Sequence, residues 1–198
     1  MPILNYLPLN FEKKRILLRL RYKPNITQIS SEFEKLFEKI LREAISLIEP
    51  AGIYEVFDIK ENDGEKIILS NSTIFYSKKL SEVLKPCKRI ILMAATLGSK
   101  ISEEIYNRQN IAEAAILDAA GSELAEEAIE SIEKIARLNI PAKEVTMRFS
   151  PGYADWNLYI QPEILRILAA QRIGMSSNES HILIPEKSIT AVCGIINS

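Results

Sequence analysis

Arg148 heads the one stretch in which side chains able to do chemistry crowd together: Arg148-Phe149-Ser150-Pro151-Gly152-Tyr153, continued by Ala154-Asp155-Trp156. Its guanidinium is a planar fork of donors that suits a carboxylate. Pro151 fixes its own φ and pushes Ser150 towards an extended conformation. Gly152 can take a positive φ and lets a ligand approach the main chain. Tyr153 and Trp156 offer faces for an aromatic ring or a cation. These residue types suit a small ligand with a carboxylate, a flat base and a positive centre. They also describe an ordinary Pro-Gly turn with an arginine lying along it, and residue chemistry alone leaves both readings open.

The surrounding pattern shows which elements must hold this stretch. Residues 144 to 149 read as a strand with Val145, Met147 and Phe149 on one side, which sends Arg148 to the other; Pro141 starts it. Residues 161 to 172 read as a helix, with Pro162 in its first turn and Gly174 as its cap. Residues 179 to 184 and 188 to 196 read as two strands joined at Pro185-Glu186-Lys187, with His181 a packed structural histidine. Upstream, residues 1 to 9 form an extended arm, and 11 to 20 a short basic helix ended at Pro24-Asn25. That segment reads as a solvated helix face, or as a surface for an acidic partner. Residues 27 to 49 carry apolar side chains at helical spacing, with Ser30 or Ser31 and Glu34 as a capping box. Residues 52 to 60 and 66 to 69 alternate as paired strands across Asn62-Asp63-Gly64. The run Ile90-Ile91-Leu92-Met93-Ala94-Ala95 predicts a strand buried on both faces.

Thr96-Leu97-Gly98-Ser99 then opens a helix, as an anion site or as plain capping. A second long helix over 110 to 138 has a seam from Ile111 to Ile135. Asp118 interrupts its small, apolar first half; that carboxylate either meets a ligand or serves as a surface or capping partner. The order of elements predicts an α+β fold with a largely antiparallel sheet and flanking helices, in a single domain spanning residues 1 to 198.

Charge and composition bound the function. The formal net charge is -1 over 198 residues, so nothing global calls for nucleic acid or an anionic membrane. No apolar run approaches the roughly 20 residues that span a bilayer, and the N-terminus lacks the pattern of a signal peptide. Cys87 and Cys193 read as buried free thiols in a reducing cytoplasm. With one histidine, His181, a dedicated metal site is not expected.

The Arg148-x-x-Pro151-Gly152-Tyr153 stretch is followed in order by Arg172-Ile173-Gly174-Met175, Asn178-Glu179-Ser180 and Pro185-Glu186-Lys187-Ser188-Ile189. With Ile91 to Gly98 and Ala115 to Ala120 upstream, this ordered set resembles the activation domain of cobalamin-dependent methionine synthase, and especially free-standing members of that family. The resemblance covers about Phe11 to Ile196. It implies a curved, C-shaped domain around a twisted antiparallel sheet. It implies binding of S-adenosylmethionine, with Arg148 on the methionyl carboxylate and Ser150, Pro151, Gly152 and Tyr153 around the adenosyl part. Glu179 is the expected support for the ligand's ammonium or for Arg148; Asp118 and Trp156 are possible supports.

No catalytic acid, base or nucleophile is expected, because methyl transfer from a sulfonium to Co(I) needs alignment and exclusion of water. The cobalamin-ligating Asp-x-His-x-x-Gly pattern is absent, so the resemblance implies a cobalamin-bearing partner, a methionine synthase or another corrinoid protein. It also implies a flavodoxin-like or ferredoxin-like electron donor. An adaptor that docks on a corrinoid protein without binding the ligand is the alternative. The family's N-terminal acid that meets the ligand has no counterpart here: Arg19-Leu20-Arg21-Tyr22 is basic.

Overall fold

The computed structural model describes residues 2–10, 12–23, 26–140 and 144–196. Phe11, the break at Pro24-Asn25 and the strand start at Pro141 lie outside the described residues.

The elements run β1 (Ile3–Leu4), α1 (Lys13–Arg19), α2 (Ser31–Leu47), β2 (Ala51–Asn62), β3 (Lys66–Leu69), β4 (Ile74–Tyr76), α3 (Lys78–Val83), β5 (Cys87–Thr96) and α4 (Lys100–Asn107), then α5 (Ile111–Asn139), β6 (Glu144–Val145), α6 (Gln161–Ile167), β7 (Ser176–Ser177), β8 (Leu183–Ile184) and β9 (Ser188–Ile196). One sheet has the order β4-β3-β2-β5-β9-β6, with β1 also paired to β2. Its pairings are antiparallel. β7 and β8 form a separate antiparallel pair. This is the mixed helix-and-strand architecture that the sequence predicts.

The central strand explains the layering. In β5, Ile91, Met93 and Ala95 pack with α1, α2, α4 and α5 on one face, while Ile90, Leu92 and Ala94 pack with α3, α6 and the 149–156 bend on the other. Period-2 alternation with both faces covered leaves no polar position, hence the unbroken apolar run. α5 lies so close to the sheet that a Cβ on Gly52 would come within 2.1 Å of Ile132. Asn110 caps α5 by accepting from the Ala112 and Glu113 N–H groups, and Ser30 caps α2 by accepting from Phe33. Ile111 is exposed, so the buried seam of α5 begins one turn later.

Three expectations need correction. Val145 packs on the α5 side, Phe149 is buried on the opposite face, and Met147 is exposed. The cause is a bulge. Val145 pairs with Ile195 and Phe149 with Val192, so four steps on one strand match three on the other. The extra residue inverts the alternation, while Thr146 accepts the Gly194 N–H in its place. The helix expected over 161 to 172 stops at Ile167, and Ala169 turns left-handed at φ 50° before a 3-10 turn over 170–173. The strand expected over 179 to 184 shrinks to Leu183–Ile184, paired with β7. His181 sits in the β7–β8 turn at φ 62°, not in a strand.

The basic N-terminal segment is engaged inside the molecule. Arg15 pairs with Glu127 at 2.9 Å and also with Glu123, and Arg19 pairs with Glu123 at 2.8 Å. Both acids are buried on α5. The acidic partner of this segment is therefore, in part, the protein's own helix. Beside the Thr96–Ser99 turn, Glu49 pairs with Lys100, so an anion there would face a carboxylate.

Candidate functional site

The 148–156 bend is tied down at both ends. Phe149 and Val192 exchange backbone hydrogen bonds of 2.8 and 2.9 Å. The Gly152 N–H donates to the Trp156 carbonyl at 2.6 Å, and Gly152 sits at φ 88°, where a Cβ would meet Leu158 at 3.0 Å. Glycine is thus required on two counts. Trp156 is 1% exposed and wedged against Phe75 and Phe149, with ring centroids 5.2 and 6.1 Å apart. Its face is therefore not free for a ligand, contrary to expectation; it is the plug that anchors the bend. Asp155 completes the anchor. It accepts from the Ser77 hydroxyl at 2.6 Å and from the Lys78 and Lys79 N–H groups at 2.7 and 3.2 Å, capping α3. The Ser77 hydroxyl, with those two N–H groups, holds the Asp155 carboxyl below its usual range against some desolvation.

Two cavities flank the bend. The inner one, about 270 Å³, is lined by Arg148, Ser150, Tyr153, Glu126, Ile129 and the β9 edge at Ile189 and Ala191, among others. The outer one, about 360 Å³, is lined by Gly152, Trp156, Tyr159, Ser180 and His181, among others. Tyr153 is 65% exposed and stands edge-on to Phe149 at 5.5 Å. His181 meets Tyr159 edge-on at 5.0 Å, so it is packed as expected, though in a turn.

Arg148 points to the α5 side, opposite Phe149 but on the same side as Val145, which the expected strand had set across from it. Its Nη1 donates to Glu133 at 2.8 Å, and its Nη2 lies 3.9 Å from Glu126, beyond hydrogen-bond length. One arm of the fork is held by the protein; the other faces the cavity wall with a loose contact. Arg137 approaches Glu133 at 3.7 Å from the next turn of α5.

The structure therefore brings Arg148, Ser150 and Tyr153 to one cavity and places Gly152 at the other; Pro151 is buried between them and lines neither. Glu179 is exposed at the tip of the β7–β8 turn, lines neither cavity, and is not among the ion-pair partners of Arg148. Asn178 causes this: its side chain accepts from the Ser180 and Ile182 N–H groups, closing the turn and turning residue 179 outward. Asp118 pairs at 2.6 Å with the largely buried Lys187, which also donates to Ser122 at 3.0 Å. It serves as a partner for that lysine and does not line these cavities. Glu126 and Glu133 escaped the sequence reading. They lie seven residues apart, on one face of a helix, but such spacing by itself marks only a helix face.

No family model and no curated protein matches the sequence. Among solved structures, the chain is similar to the MetH reactivation domain bound to AdoHcy, with a TM-score of 0.62 and 17% identity over 91% of this chain and 72% of that one. The chain has the fold of the MetH reactivation domain. Within that fold, the Pro-Gly bend closes against α3 on one face of the sheet, while the Arg148 fork opens on the other.

Proposed function

We propose that this chain is an S-adenosylmethionine-binding, reactivation-type subunit that supports methylation of cobalamin held by a separate protein, a methionine synthase or related corrinoid methyltransferase. The observation that carries the reading is the half-free Arg148 fork at the mouth of a cavity beside the Pro-Gly bend, in a fold shared with a domain solved with AdoHcy. The ligand supplies a sulfonium methyl group. Arg148 binds its carboxylate through Nη2, while Glu133 fixes the guanidinium through Nη1. Ser150 and Tyr153 orient the adenosyl part, and the buried Trp156 and the Asp155 cap keep the bend from shifting. In this reading no acid or base needs a catalytic role, because the transfer requires alignment only.

At about 270 Å³ the cavity lies just under the roughly 300 Å³ where small-molecule pockets begin. A docked partner would complete its walls and exclude water. We propose that this partner carries the cobalamin and that a flavodoxin-like or ferredoxin-like protein supplies the electron. In this reading the 198 residues act as one domain, working in the cytoplasm.

One observation favours a second reading. Glu133 already occupies one arm of Arg148, which fits an adaptor that docks on a corrinoid protein without binding the ligand. Calorimetric titration with S-adenosylmethionine separates the two. Binding by the wild type, weakened by on the order of 10- to 100-fold in Arg148→Ala, fits loss of a charge-assisted pair. No binding, with the corrinoid partner present or absent, leaves the adaptor.

A further inference from the structure

We infer that a third cavity, between α4 and the β7–β8 turn, binds an amphiphilic primary amine, an apolar body ending in an ammonium. The cavity holds about 510 Å³, within the roughly 300–1,000 Å³ of small-molecule pockets. It shares no lining residue with either cavity beside the 148–156 bend, so the inference stands apart from the function argued above. The apolar wall comes from the turn and β8. Leu183 and Pro185 line it, and Ile182 and Ile184 present about half of their surface to water, at 51% and 48%. Apolar area left open in this way gains from a ligand that covers it.

The polar wall is one stripe of α4. Ser99, Ser102, Glu103 and Tyr106 line the cavity at three- and four-residue steps. Ser102 is 8% exposed, and its hydroxyl has no hydrogen-bond partner among the described residues. A buried hydroxyl left unpaired is costly and calls for a partner. Two carboxylates line the same cavity, Glu103 from α4 and Glu186 from the start of the β8–β9 connection. Among the described residues neither has a cation within ion-pair distance. Glu186 accepts from the Tyr106 hydroxyl, while the neighbouring Lys100 and Lys187 are held by Glu49 and Asp118. The chemistry then selects the ligand. A primary ammonium carries three N–H donors and no acceptor, and the Ser102 hydroxyl and the two carboxylates are acceptors on the same wall. A carboxylate or phosphate would face two like charges there. A purely apolar ligand would leave Ser102 unpaired.

The test titrates three probes of one shape into the full chain at low salt, read by amide NMR: phenylbutylamine, the neutral phenylbutanol and the anionic phenylbutyrate. The amine should shift amides of α4 from Ser102 to Tyr106 and of the turn from Ile182 to Glu186. It should bind about fivefold tighter than the alcohol, and phenylbutyrate should bind weakest. Because the two carboxylates are exposed, this preference should shrink as salt is added. The double variant Glu103→Gln with Glu186→Gln should erase the preference for the amine and keep the affinity for the alcohol. Ser102→Ala should weaken the amine severalfold. Equal binding of the three probes would reduce the cavity to an apolar surface and overturn the inference. So would shifts placed elsewhere, no shift at saturating amine, or an unchanged preference in the double variant. Melting temperatures of the variants equal to the wild type's confirm that folding is not the cause.

Discussion

Two of the arginine–glutamate clusters along α5 are built from the same chemistry and put to different ends. In the first, Arg15 and Arg19 from α1 close over Glu123 and Glu127, and the Glu123 side chain is 2% exposed. Two cations meet two acids, and the cluster staples α1 to the core. In the second, a single arginine from the bend, Arg148, faces Glu126 and Glu133; one arm is engaged, one contact is loose, and a cavity opens alongside. Burial and stoichiometry make the difference. A sealed, balanced cluster holds structure, whereas an unsealed one with unfilled donors can accept a ligand. Burial also pushes the Glu127 carboxyl up, helped by the charge of Glu130 and opposed by Arg15, so the first cluster depends on its arginines.

The comparison can be broken by variants, taken from the largest effect on stability. Replacing Arg15 and Arg19 together by Met leaves Glu123 buried without a cation and should cost about 3 kcal/mol. For a chain of this size that is roughly a 6–12 °C drop in melting temperature, with little change in ligand affinity. Gly152→Ala forces a side chain into left-handed backbone and towards Leu158; it should cost about 1–2 kcal/mol in a urea titration and weaken ligand binding by moving the bend. Asp155→Asn removes a carboxylate whose pKa is lower in the folded state than its usual value of 3.8. Such a group stabilises above the unfolded value, and that stabilisation is lost as pH falls through the lower folded value. Wild type should therefore lose an increment of stability below about pH 3.8 that the variant lacks, visible in paired acid titrations of the melting temperature. Arg148→Met should be mildest, under about 1 kcal/mol, because its partly solvated partners reach water. If Arg148→Met destabilised as much as the Arg15/Arg19 pair, the two clusters would be equivalent and the contrast would collapse.

What the sequence disclosed and what it hid follow from how local each signal is. The apolar run of β5 and the helical seams of α2 and α5 are repeating patterns within one segment, and they were legible with their near-correct ends. Arg148 lies opposite its neighbour Phe149, as alternation over a single step requires, but on the side of Val145. Alternation over four steps did not hold, because the β6 bulge depends on register with β9, a segment some 45 residues away in the chain. Ala169 and His181 take left-handed backbone without the glycine that would signal it. Trp156 read as a ligand face because nothing local says that Phe75 covers it. Glu126 and Glu133 were invisible as site residues because helical acids are ordinary surface residues until a bend from elsewhere brings an arginine against them.

The most direct test of the site is an amide NMR titration of the whole chain with S-adenosylmethionine. The account predicts that the largest shifts cluster at Arg148 to Tyr153 and at Ile189 to Ala191, the two segments that meet at the inner cavity. Shifts confined to Tyr159, Ser180 and His181 around the outer cavity, or no shifts at saturating ligand, would contradict it.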